Sequence, residues 1–226
     1  MKAYILKTKN PLSDEYATVC GNSCVQNKTS YEFLDWWHEG NPKDAWASIG
    51  IPIGKFDAFK ASNAKAQFAT SGHAMIWKKI RDSGQPGIVL EHDAIMLHPI
   101  DIEIPDDMIV VLGYKLQNPQ EYDHIKAGPP REIVDIPENG HEGAHAYAIT
   151  HNTAQKLLDE IADRGVPGAI DNTHFLKSRS KHTKIPIKIM SPTPALGWLR
   201  ESTIWKKSAA RNYRFISSFQ DNYTKT

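Results

Sequence analysis

The sequence predicts an α/β fold: one domain with a mixed, mostly parallel sheet flanked by helices. Three observations carry that expectation. Apolar runs of strand length (residues 3–7, 88–90 and 108–112) alternate with stretches of helical period (63–81 and 152–164). Turn-forming punctuation separates them, with 14 Gly and 14 Pro in the chain. At 226 residues and 40% hydrophobic, the chain can bury a sizeable core.

Taken in order, residues 3–7 (AYILK) read as a first strand, which Asn10-Pro11 breaks. Ser13, followed by Asp14 and Glu15, marks a helix start. Residues 30–39 (SYEFLDWWHE) space Phe33, Leu34 and Trp37 at helical intervals and read as a helix. Residues 49–53, with Gly50, Pro52 and Gly54 close by, read as a loop. Residues 63–81 are the clearest helix, since Phe68, Met75, Ile76 and Ile80 recur near period 3.6. Gly84-Gln85-Pro86-Gly87 ends it, and residues 88–90 and 108–112 then read as buried strands. Residues 114–140 hold four prolines and little periodicity, as a long connecting loop does. Residues 144–150 (AHAYAIT) alternate weakly. Residues 152–164 form a helix with Ala154, Leu157, Leu158 and Ile161 on one face, stopped by Gly165. Residues 184–190 (KIPIKIM) alternate basic and apolar, in the manner of an edge strand that carries a proline.

The net charge of +1 hides a segregation. Residues 177–226 hold eleven basic residues and two acids, and the first 176 hold 16 basic and 24 acidic. A basic, aromatic-rich end on an acidic body fits either a polyanionic partner or a solvated tail. The expected division is therefore 1–176 as an acidic body and 177–226 as a basic segment packing on it or extending from it. Residues 1–9 carry only a short apolar run, so no secretory signal is expected. No stretch approaches the roughly 20 apolar residues of a membrane helix. Cys20 and Cys24 lack a nearby zinc set and read as reduced core thiols of a cytoplasmic protein.

The segment GIVLEHDAIML, residues 87–97, sets Glu91, His92 and Asp93 inside an apolar run. Buried carboxylates cost several kcal/mol, in rough terms, unless something pairs with them. Side chains alternate along a strand, so Glu91 and Asp93 point one way and His92 the other. Two acids at a strand's carboxyl end can hold a divalent cation together with water and phosphate oxygens. The same triplet also reads as a turn with a salt-bridged acid. Residues 141–145 (HEGAH) match H-E-x-x-H, which on a helix would bind zinc through His141 and His145 with Glu142 as general base and Glu160 as a third ligand. The turn at Pro137–Gly140 and Gly143 weigh against that helix. No Gly-rich phosphate loop and no G-x-S-x-G is present.

Three segments, in order, resemble glycosyltransferase family 25, which includes lipooligosaccharide and collagen galactosyltransferases. Residues 72–79 (GHAMIWKK) resemble its Ser-His-x-x-x-Trp-Lys helix, and IVLEHDAIML resembles its strand ending in Glu-Asp-Asp. Residues 143–158 (GAHAYAITHNTAQKLL) resemble its Gly-x-x-Gly-Tyr-x-Ile-Ser segment, and 169–175 (AIDNTHF) a final Val-Asp-Trp stretch. The opening AYILKTKNP fits its first strand, over the nucleotide. The resemblance implies a nucleotide-sugar-binding GT-A fold, Mn²⁺ (or Mg²⁺), a UDP-sugar donor and inversion at the anomeric carbon. It assigns Asp93 and Glu91 to the metal, and Leu6, Lys7, His73 and Glu91 to the donor. Asp171 is then the candidate general base with Glu142 second, although either could be a structural acid. His92 replaces the family's middle acid, Gly72 its serine, Asn172 its tryptophan, and Glu142 an aromatic.

The expected partners are a nucleotide-sugar and a polyanionic acceptor bound through 177–226, either a hydroxymethylated DNA base or an anionic glycan such as a lipooligosaccharide. Two alternatives stand beside this: a zinc peptidase on 141–145, and a non-catalytic nucleic-acid-binding protein. The latter would use Trp198, Trp205, Tyr213, Phe215, Phe219 and Tyr223 as stacking platforms.

Overall fold

Residues 3–6 are buried on both faces, which only an interior strand allows. In the computed structural model, which describes residues 1–50, 64–115, 128–136, 144–165, 170 and 183–197, they belong to β1 (Lys2–Thr8). This strand pairs in parallel with β2 (Ser30–Trp36) on one side and β3 (Gly87–Glu91) on the other. Between β1 and β2 runs α1 (Pro11–Gln26), which starts at Asn10: its side chain accepts from Leu12 N at 2.9 Å, with Pro11 at the first helical position. After β2 come α2 (Pro42–Ile49), closed by Gly50 at φ 68°, and α3 (Ala64–Ser83).

Beyond β3 lie β4 (Ala94–Met96), β5 (Ile109–Val111), β6 (Gly113–Lys115), β7 (Glu132–Asp135) and β8 (Ala146–Ile149). Then follow α4 (His151–Arg164), capped by Thr150 Oγ1 on Thr153 N at 3.2 Å, β9 (Ile187–Ser191) and β10 (Ala195–Gly197). The seven-stranded sheet has the order β2-β1-β3-β8-β5-β9-β7, and a three-stranded sheet has the order β4-β10-β6. In the large sheet β2, β1, β3, β5 and β9 run one way and β8 and β7 the other. This is the expected mixed, mostly parallel α/β fold.

Two apolar clusters cover the two faces. One joins Tyr4, Leu6, Val89 and Tyr147 to α2, α3 and α4 through Trp46, Trp77, Leu157 and Ile161. The other joins Ala3, Ile5, Ile88 and Leu90 to Ala17, Cys20 and Cys24 of α1. The two cysteines are buried core thiols, as their spacing suggested.

Two expectations are corrected. Residues 30–36 form a strand rather than part of a helix. Both faces of this strand carry apolar groups: Leu34 and Trp36 turn to the α3 side, while Tyr31 packs toward α1 with Phe33 set edge-on against it. The segment at 184–190 is not an edge strand. Residues 187–191 lie inside the sheet, between β5 and β7. Pro186 sits just before the strand, where its carbonyl accepts from Ile109 N at 2.9 Å and its missing N–H costs the ladder nothing.

Helix α3 approaches the carboxyl ends of β1 and β2 closely. A Cβ at Gly72 would fall 2.6 Å from Leu6 Cδ1 and 2.9 Å from Trp36 Cδ1. Gly72→Ala is expected to destabilise by about 1–3 kcal/mol, and by less in a Leu6→Ala background that clears the space. Urea denaturation of the four proteins tests this, and an equal penalty in both backgrounds rejects it.

Candidate active site

Helix α1 carries the chain from β1 to one side of the sheet, and α3 delivers β3 to the other. In open α/β sheets the crevice for ligands lies at such a switch point, beyond the carboxyl ends of the strands. Here that is the end of β1 and β3, where Leu6 pairs opposite Glu91.

Lys7, next along β1, bridges Asp14 at 2.5 Å and Asp35 at 2.6 Å. These bonds, with Asp14's the stronger influence, raise the ammonium pKa above its usual value. Leu6 is buried and faces Gly72, so its side chain is a wall of the site. Asp35, half exposed at the rim, was not singled out by the sequence; its signal was a lone acid at a strand end.

Glu91 is the last residue of β3, and His92 and Asp93 form a two-residue turn into β4. The run 87–97 is thus two strands in two sheets, which corrects the expectation that Glu91 and Asp93 share one strand face by alternation. Glu91 Oε1 lies 3.2 Å from Nε2 of His73, a fully buried residue of α3. His73 Nδ1 is 2.9 Å from the Tyr147 hydroxyl, which accepts from Trp77 Nε1 at 2.7 Å. Burial pushes the Tyr147 phenol well above its ordinary range; the Trp77 bond opposes this and the charge of Glu91 adds to it. Asp93 acts on the other face of the sheet. Its charge joins burial and the Cys24 bond in raising the Cys20 thiol, so Cys20 stays protonated. His92 stacks on Tyr16 of α1, with ring centroids 5.9 Å apart.

His145 lies at a bend just before β8, not on a helix. Its carbonyl accepts from Glu91 N at 2.9 Å, and its ring packs against Gly197. Glu160 Oε1 accepts from Thr183 Oγ1 and Lys184 N, both at 3.1 Å. His141, Glu142 and Asp171 lie outside the described residues, as do 177–182 and 198–226 of the basic segment. Among the described residues there is no cluster of three or more His, Cys, Asp or Glu side chains able to hold a metal. Glu91 turns to His73 on α3 and Asp93 toward Cys20 on α1, so a cation held at Asp93 would draw its remaining ligands from waters and substrate phosphates. No described helix is long and apolar enough to cross a membrane.

No protein-family profile matches the chain, and no curated protein does. Among solved structures, the galactosyltransferase LgtC with donor and acceptor sugar analogues aligns at TM-score 0.44 and 11% identity, over 100% of this chain and 97% of that one. The glycosyltransferase GlyE of Streptococcus pneumoniae aligns at 0.48 and 10%, over 97% of this chain and 60% of that one. A glycosyltransferase involved in glycosylation of the major capsid of PBCV-1 aligns at 0.41 and 9%, over 87% and 93%.

Proposed function

We propose that the chain is a glycosyltransferase that takes a sugar from a nucleotide-sugar, a UDP-sugar by the family resemblance, with the donor diphosphate at the carboxyl ends of β1 and β3. The observation that carries this reading is convergence. His73 and Trp77 come from one motif segment, Glu91 from a second and Tyr147 from a third, and one chain of hydrogen bonds joins all four at the switch point.

Asp93, in the turn after β3, would hold Mn²⁺ or Mg²⁺, with waters and donor phosphates completing the shell. Such a cation, when bound, offsets the negative charge that the departing nucleoside diphosphate gains. Lys7 fixes Asp35 at the rim, where its carboxylate can accept from sugar hydroxyls. Leu6 and the tightly packed α3 exclude water from the inner wall. An inverting transfer then needs one base to take the acceptor's proton, and Asp171 fills that role in this reading, with Glu142 second.

The acceptor in this reading is polyanionic and is met by residues 177–226: a hydroxymethylated DNA base, flipped out for transfer, or an anionic glycan. The test is incubation with a panel of nucleotide-sugars and Mn²⁺, in the presence of hydroxymethylated DNA or lipooligosaccharide. Release of UDP that depends on both metal and acceptor is the expected result. No release, together with no thermal stabilisation by any nucleotide-sugar, would remove the reading.

A further inference from the structure

The hydrogen bonds around His73 have a direction, and it is set from the far end of the chain. An indole nitrogen can only donate, so Trp77 Nε1–H gives to the Tyr147 oxygen at 2.7 Å. The Tyr147 phenol is fully buried and keeps its proton. That proton finds an acceptor in His73 Nδ1 at 2.9 Å. A neutral imidazole that accepts at Nδ1 carries its hydrogen at Nε2, which faces Glu91 Oε1 at 3.2 Å. Every link in this assignment has one donor and one acceptor, with no charged imidazole required. The His73 and Tyr147 rings lie almost parallel, 11° apart with centroids 5.7 Å apart, so His73 also has a packed wall against ring rotation.

We propose that Trp77 and Tyr147 are positioning residues: they fix His73 as its Nε2–H tautomer and, through it, hold the Glu91 carboxylate in one orientation for the donor complex. The inference rests on the reading of this crevice as the donor site. Neither aromatic residue needs to touch the ligand. A glutamate at a strand end has three side-chain torsions to settle, and an outer partner that settles them strengthens binding without adding a contact.

Two measurements test the relay. In protein labelled with ¹⁵N-histidine at about pH 8.5, above the ordinary imidazole range, His73 should show the Nε2–H tautomer, its signals assigned by their loss in His73→Gln. In Glu91→Gln, which removes the carboxylate acceptor, Tyr147 should still hold the Nε2–H tautomer, and both tautomers should appear only when Tyr147→Phe is added. An Nδ1–H tautomer in the wild type, or the same tautomer population in Glu91→Gln with and without Tyr147→Phe, overturns the relay. The second measurement is calorimetric binding of UDP with Mn²⁺. Tyr147→Phe should bind about tenfold more weakly, and adding it to Glu91→Gln should cause little further loss, because Tyr147 acts through Glu91. Unchanged affinity in Tyr147→Phe, or losses that simply add, overturns the positioning role; a wholly structural effect would add. If the wild type binds no UDP with Mn²⁺, the donor-site reading fails and the tautomer measurement decides the relay alone.

Discussion

Asp93→Asn is expected to abolish sugar transfer while leaving the fold intact. Asp93 occupies the second position of the turn between β3 and β4, where asparagine serves the backbone as well as aspartate does. In the proposed reading, what is lost is the charge that would hold the cation. A cation that stabilises the leaving group by several kcal/mol corresponds to a rate loss on the order of a thousandfold or more. The measurement is transfer rate at saturating donor, with thermal melting as the control for folding. Glu91→Gln should act mainly on donor affinity. His92→Ala should matter far less to transfer, since its ring packs on Tyr16. Near-normal turnover in Asp93→Asn would sink the metal site.

Trp77→Ala should be the most damaging of the core substitutions considered. Trp77 is fully buried in the cluster between α3 and the sheet, and its indole also feeds the Tyr147 hydroxyl. Emptying the ring's volume costs about 3–5 kcal/mol. Trp77→Phe retains most of the packing and loses one hydrogen bond, for about 1 kcal/mol. The contrast, read from urea midpoints, separates volume from hydrogen bonding. Equal losses in the two variants would mean that the indole volume contributes nothing at this position.

The strands and helices with one clear period were legible. Residues 63–81 and 152–164 became α3 and α4 within a few residues, because each has a single apolar stripe facing one core. The failure at 30–36 has a physical cause. A strand with apolar groups on both faces carries no period-2 signal, so Phe33 and Leu34 side by side imitate a helix stripe. At 184–190 the alternation of lysine and isoleucine was right and its meaning was not. Lys188 is an interior-strand residue whose ammonium reaches Asp135 on β7, and Ile187 and Ile189 face the core. In the site, Glu91 and His73 could be picked from the sequence, whereas their contact could not. Tyr147 gave a usable hint, as the one polar-tipped ring in the buried run Ala146–Ile149, since a buried phenol needs a partner. Nothing in the sequence says that its partners lie on α3.

The turn at His92 and Asp93 is also where the seven-stranded sheet hands the chain to the three-stranded one. Leu112 does the same between β5 and β6, with its amide given to Ala146 and its carbonyl taken by Ala195. The small sheet is made of three-residue strands, and opening it exposes the buried residues of β4 and β10. In the proposed reading a ligand held at Asp93 would bind only while that sheet is closed, and its binding free energy would fall on the opening equilibrium of the small sheet. Occupancy would then be recorded as slower amide exchange at Ala94–Met96 and Ala195–Gly197, and the crevice would act as a clasp between two sheets.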